Sequence, residues 1–132
     1  MSATSGSFAV DTHALLFWLL DKNSLTGKVR KIFEQPSNRF CISTASVLEI
    51  QYLIEIGRVE TGIGELLSYI QSQPAFYLQP FDELVLLETL EASEHRDPFD
   101  RILIATAQKH GMTILTKDRI IPTYPKVKAV WE

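Results

Sequence analysis

Ser7-Phe8-Ala9-Val10-Asp11-Thr12-His13-Ala14-Leu15-Leu16-Phe17-Trp18-Leu19-Leu20 changes character at one acidic residue. Ser7 to Val10 is a short apolar run and reads as a strand. Thr12 to Leu20 reads as a helix, apolar nearly all round. Asp11 stands at the junction, directly after the strand.

The same alternation continues outward. Ser24 is placed to cap a helix running to about Gln35, with Leu25, Val29, Ile32 and Phe33 on one face, and Pro36-Ser37-Asn38 breaks it. Residues 39–42 read as a second strand. Ser43 and Thr44 open a helix through Ile56, which Gly57 closes. Residues 60–73 read as a helix weakened by Gly62 and Gly64, residues 76–79 as a strand, and residues 81–92 as another helix. Asp97-Pro98 opens a helix ending at His110-Gly111. Thr113 to Leu115 is a strand followed by Lys117-Asp118, and residues 127–130 form the last strand. Short strands separated by helices predict an α/β fold with a mostly parallel sheet. Ligands of such sheets bind at the carboxyl ends of the strands.

A chain of 132 residues is long enough to bury a real core, and no linker, repeat or low-complexity tract divides it, so residues 1–132 are expected to form one domain with residues 1–6 flexible. With 45% hydrophobic and 22% charged residues the balance is globular, and disorder is excluded. The net charge of −3 disfavours a static DNA-binding module, but an enzyme needs only a local basic rim. The lone Cys41, in the apolar run Phe40-Cys41-Ile42, reads as a small buried hydrophobe suited to a reducing cytoplasm. The apolar run at residues 14–20 is too short to span a membrane and follows no basic leader, so neither a span nor a signal peptide is expected.

Four acids attract notice by position. Asp11 and Asp118 follow strands, and they reach one sheet edge if those strands are parallel neighbours. Each also suits a helix N-cap. Glu49 shares its helix face with Ala45, Tyr52, Leu53 and Ile56, where a carboxylate is costly to bury alone. A capping box with Ser46 is the competing role, but a helix starting at Ser43 or Thr44 leaves Glu49 too deep for it. Asp100 shares a face with Leu103, Ile104 and Ala107, while Asp97 caps the same helix. Four carboxylates at one spot repel, and a hard cation relieves this; carboxylate oxygens suit Mg²⁺ or Mn²⁺. Zinc fits less well, because Cys41, His13, His95 and His110 show no ligand spacing.

The stretch Asp11-Thr12-His13-Ala14-Leu15-Leu16 resembles the opening of PIN-domain ribonucleases of the VapC toxin type. So does Arg96-Asp97-Pro98-Phe99-Asp100-Arg101 with the following Ile102-Leu103-Ile104-Ala105-Thr106-Ala107. Ile114-Leu115-Thr116-Lys117-Asp118 is similar to the family's closing acidic motif, and residues 43–49 look like its second motif. The motifs stand in the family's order and span residues 11–118. The resemblance implies a three-layer α/β/α PIN-like domain, an endoribonuclease site binding one or two Mg²⁺ or Mn²⁺ ions at Asp11, Glu49, Asp100 and Asp118, and RNA as substrate. Asp97 matches a further acid, and Thr12 and Thr116 match polar positions whose hydroxyls would orient carboxylates. Arg96, Arg101, Lys117 and Arg119 flank the acids and are candidates for RNA phosphate contacts. The resemblance also implies the toxin of a type II toxin–antitoxin pair, a cognate antitoxin partner and a homodimer.

Two rival readings stand beside it. One is a PIN-like interaction module without catalysis, its interface fed by Phe17, Trp18, Tyr52 and Ile56. The complete set of acids favours the enzyme. The other is a phosphoacceptor receiver or haloacid-dehalogenase phosphatase. The first lacks its acidic pair beside the first strand, and the second lacks Asp-x-Asp because His13 fills that place.

Overall fold

The structure is a computed structural model and describes residues 6–91 and 97–132. Its sheet contains β1 (Ser7–Val10), β2 (Arg39–Ser43), β3 (Phe76–Gln79), β4 (Thr113–Leu115) and β5 (Ala129–Val130) in the order β3-β2-β1-β4-β5. All its pairings are parallel. The helices are α1 (Thr12–Leu20), α2 (Gly27–Glu34), α3 (Thr44–Glu55), α4 (Ile63–Ser72), α5 (Glu83–Glu91) and α6 (Pro98–His110).

Alternation along the strands makes the sheet two-faced. Val10, Phe40, Ile42, Phe76 and Leu115 enter one core with α1, α2, α4 and Ile50 of α3. Ala9 and Ile114 enter another with Leu103, Ile104 and Ala107 of α6. Helices therefore cover both faces, and α5 packs on α6 through Val85, Ile102 and Ala105. The first core is built around an aromatic stack. Phe33 lies 4.9 Å from Trp18 and 4.9 Å from Phe40, and Phe40 is 5.2 Å from Phe76.

Several boundaries differ from the sequence reading. Ser24 does not cap α2: its hydroxyl donates to Asp21 (2.6 Å) inside a 3-10 turn, Leu25 runs extended to bury itself, and Thr26 accepts from the Val29 amide instead. The helix expected from residue 60 starts at Ile63, since Gly62 sits extended as its cap. The helix expected from residue 81 starts at Glu83, because Phe81 donates its amide to Thr44 and Asp82 accepts from the Val85 amide; its expected end at residue 92 lies outside the described residues. The last strand shortens to Ala129–Val130, because Lys126 adopts a left-handed turn (φ 66°) that occupies Val127. Gly6, expected within a flexible start, is tied to Asn38 and Arg39, and residues 1–5 lie outside the described residues. Gly57 (φ 78°) and Gly111 (φ 67°) close α3 and α6 as expected. Cys41 is buried, and burial pushes its thiol up to about 11. Among the described residues no helix is long and apolar enough to cross a membrane.

Trp18 serves the fold. It stacks on Phe33, and its Nε1 donates to Tyr69 Oη at 3.1 Å. Phe17 is half-buried, whereas Tyr52 and Ile56 are exposed.

Phe40→Ala is expected to lower the free energy of unfolding by about 3–5 kcal/mol, since it removes a fully buried ring from the stack. Urea denaturation with an unchanged m-value measures this; a loss under about 1 kcal/mol would show that the stack does not anchor the sheet.

Candidate active site

The parallel sheet delivers its acids to one edge. Asp11 follows β1, and its amide still donates to the Leu115 carbonyl of β4 at 3.0 Å. Its extended backbone makes it the N-cap of α1, with Oδ1 accepting from the His13 amide. Thr116, the first residue after β4, donates its hydroxyl to Asp11 Oδ2 at 2.5 Å and accepts from the Asp118 amide at 3.0 Å. One buried hydroxyl thus links the two strand-end acids.

Thr12, the first residue of α1, is also buried, and its hydroxyl crosses to α3 to donate to Glu49 Oε1 at 2.5 Å. Ser43 caps α3, so Glu49 lies in the second turn and the capping-box role is excluded. The two threonines therefore serve acids on other elements, Thr12 holding Glu49 and Thr116 holding Asp11.

The caps of α6 and of the 3-10 turn Ile121–Thr123 complete the edge. Asp97 accepts from the amides of Phe99 (2.9 Å) and Asp100 (3.3 Å). Asp118 Oδ1 accepts from the amides of Ile120 (2.7 Å) and Ile121 (3.2 Å). Both acids also border a cleft of about 410 Å³ that Asp11, Glu49 and Asp100 share. Capping and site placement coexist in Asp97, and Asp118 combines its two amide bonds with a place at the cleft.

Electrostatics registers the crowding. Burial holds the Asp11 carboxyl above its ordinary value; the Thr116 bond and His13 oppose this, and Asp118 adds to it. Burial likewise raises Glu49, with the Thr12 bond opposing and the charges of Asp11 and Asp97 reinforcing. The donors bordering the cleft are carboxylate oxygens, the kind that suits Mg²⁺ or Mn²⁺, and a cation's charge opposes both causes of the upward shifts. As they stand, with oxygens turned to hydroxyls and amides, no three candidate ligands among the described residues are gathered round one cation position. The residues fit such a cation in chemistry.

The flanking cations divide. Lys117 borders the cleft, and Arg119 stands just beyond it. Arg101 does not: its guanidinium donates twice to the Thr89 carbonyl (2.7 and 3.2 Å) and ties α6 to α5. Arg96 and His95 lie outside the described residues. Two cleft residues escaped the sequence reading, His13 and Phe17. Their spacing of four on α1, beginning beside Asp11, is the signal that marks one helix face.

With this geometry established, the chain belongs to the PIN-domain family, whose profile matches residues 8–127. It is 27% identical over 128 residues to Ribonuclease VapC22 of Mycobacterium tuberculosis, covering 92% of this chain and 96% of that one. Its fold is similar to a chain in the crystal structure of VapBC2 from Rickettsia felis bound to a promoter DNA fragment (TM-score 0.73, 14% identity, 96% and 99% covered). It is also similar to a chain of the DNA-bound VapBC structure from Salmonella typhimurium (TM-score 0.67, 18% identity, 94% and 96% covered). These structural likenesses show the three-layer fold.

Because the Asp11 pKa is raised in the fold, its contribution to stability is present below the unfolded value and is lost as pH rises through the folded one. Asparagine caps as well as aspartate. In EDTA, Asp11→Asn is therefore expected to melt higher than wild type at pH 7, with the gap shrinking toward pH 4. Melting curves across that range check this; a lower melting point at pH 7 would make Asp11 chiefly a structural cap.

Proposed function

We propose that this chain is a divalent-metal-dependent endoribonuclease and the toxin of a toxin–antitoxin pair. The observation carrying this reading is the single cleft bordered by Asp11, Glu49, Asp97, Asp100 and Asp118, in a PIN-domain chain similar to a named ribonuclease. Asp11, Glu49, Asp100 and Asp118 hold Mg²⁺ or Mn²⁺, with Asp97 in support. The bound cation supplies charge neutralisation at the phosphate and a water acidified enough to attack it. Thr116 and Thr12 keep the Asp11 and Glu49 carboxylates oriented through their hydrogen bonds. Lys117 and Arg119 offer positive charge to the RNA backbone that an acidic cleft otherwise repels. Hydrolysis by water leaves a 5′-phosphate and a 3′-hydroxyl, with the ribose 2′-hydroxyl taking no part.

The partner reading is supported by the VapBC complexes among the structural neighbours and by exposed apolar surface. Leu84, Leu86, Leu87 and Leu90 of α5 are exposed, as are Tyr52 of α3 and Ile56 at its end. Such surface suits a cognate antitoxin and a second copy of the chain, and it is compatible with catalysis. The pair acts in the cytoplasm, where a lone buried thiol stays reduced.

A labelled RNA panel incubated with Mg²⁺, Mn²⁺ or EDTA tests the reading. Wild type is expected to cut only with metal and to leave 5′-phosphate ends, while Asp11→Asn and Asp100→Asn, though folded, do not cut. Thr116→Val is expected to cut about 10- to 100-fold more slowly, as removal of a ligand-orienting group does. A cyclic 2′,3′-phosphate product sinks the hydrolytic mechanism. A folded, inhibitor-free protein that cuts no RNA favours the interaction module.

A further inference from the structure

A second depression adjoins the acidic cleft, and there Lys117 and Arg119 stand beside Asp118 and Glu132, with Trp131 as the aromatic wall. It measures about 360 Å³ and lies between the Thr116–Arg119 loop and Trp131. It shares Lys117 and Asp118 with the cleft, so the two are neighbours. The sheet explains its position. Leu115 of β4 pairs with Val130 of β5, and the Thr116 amide donates to the Val130 carbonyl. Trp131 follows β5 at the edge where Asp11 follows β1 and Thr116 follows β4. The ring is half-buried and held, with Phe17 at a centroid distance of 6.2 Å and the Thr26 hydroxyl donating to the Trp131 carbonyl. Among the described residues neither the Lys117 nor the Arg119 side chain has an ion-pair partner, and both are exposed.

We propose that this pocket is the subsite for a nucleotide next to the scissile phosphate, with its base stacked on Trp131 and its phosphates held by Lys117 and Arg119. This rests on the ribonuclease reading. Five acids border the cleft, so a polyanion gains little from its floor, and anchoring falls to neighbouring cations and a π-face. An aromatic ring already fixed by packing loses little freedom on stacking. Every base has a π-face, so the subsite grips single-stranded RNA with little dependence on sequence.

Four measurements on the full chain test this. Binding of a short labelled single-stranded RNA to the Asp11→Asn protein is expected to weaken about tenfold on adding Trp131→Ala and to stay within about threefold on adding Trp131→Phe. Arg119→Ala is expected to lower the slope of log Kd against log salt by about 1. In the cutting protein both Trp131→Ala and Arg119→Ala raise KM more than they lower kcat. With Trp18 replaced by Phe, RNA quenches the remaining Trp131 emission. Metal-dependent cutting by wild type together with unchanged KM, salt slope and emission overturns the subsite and leaves the ribonuclease reading standing. Should Trp131→Ala fail to fold, an unchanged Kd and salt slope in Arg119→Ala still overturns it. A wild type that neither binds nor cuts RNA overturns both.

Discussion

The backbone hydrogen bond from Asp11 to Leu115 is the contact on which the site depends. It carries the β1–β4 ladder one residue past the end of β1. Asp11 is thus located by the sheet before its side chain makes any contact. The next residue of each segment is placed by the same register. Thr116 comes level with the Asp11 carboxylate, and Thr12, turning into α1, faces Glu49 on α3. A one-residue slip of either strand would send these side chains to the opposite face.

Holding carboxylates there is costly, and the causes can be ranked. Burial is the largest cause of the upward shift at both Asp11 and Glu49, ahead of repulsion from neighbouring acids. Each is opposed by one threonine hydroxyl, and hydrogen bonds to charged groups are worth about 1.5–3 kcal/mol. The hydroxyls soften the penalty without removing it, since both shifts remain upward. The compensation lies in the core that the same strands enter: Val10 and Leu115, the residues before Asp11 and Thr116, are buried in one cluster with Phe33, Phe40 and Phe76.

Features carried by local chemistry were legible in the sequence. The strand-then-acid junction at Asp11, the Asp97-Pro98 helix start and the depth of Glu49 in its helix follow from propensity and capping alone, and the structure has them as read. Features set by tertiary choice were not. Ser24 and Thr26 are both good caps, and burial of Leu25 between them selects the second. The threonine hydroxyls were legible as polar positions beside acids, but their crossed partners depend on which elements meet. Arg101 follows Asp100 directly, yet one residue turns about 100° around a helix, so adjacency in sequence sends it to Thr89 and not to the cleft.

Charge distribution then relates the site to its scaffold. A chain with net charge −3 has no long-range field to draw in a polyanion, so attraction has to be local. At about 8–10 Å, the screening length at ordinary salt, cations bordering the cleft matter more than the total. Lys117 sits between Thr116 and Asp118 in sequence and borders both depressions in space. The same short loop after β4 therefore carries Thr116, whose hydroxyl holds the Asp11 carboxylate, the exposed cations Lys117 and Arg119 proposed to meet phosphate, and Asp118 at the acidic edge. That density of roles in four consecutive residues follows from the parallel sheet, which gives each strand only one exit toward the site.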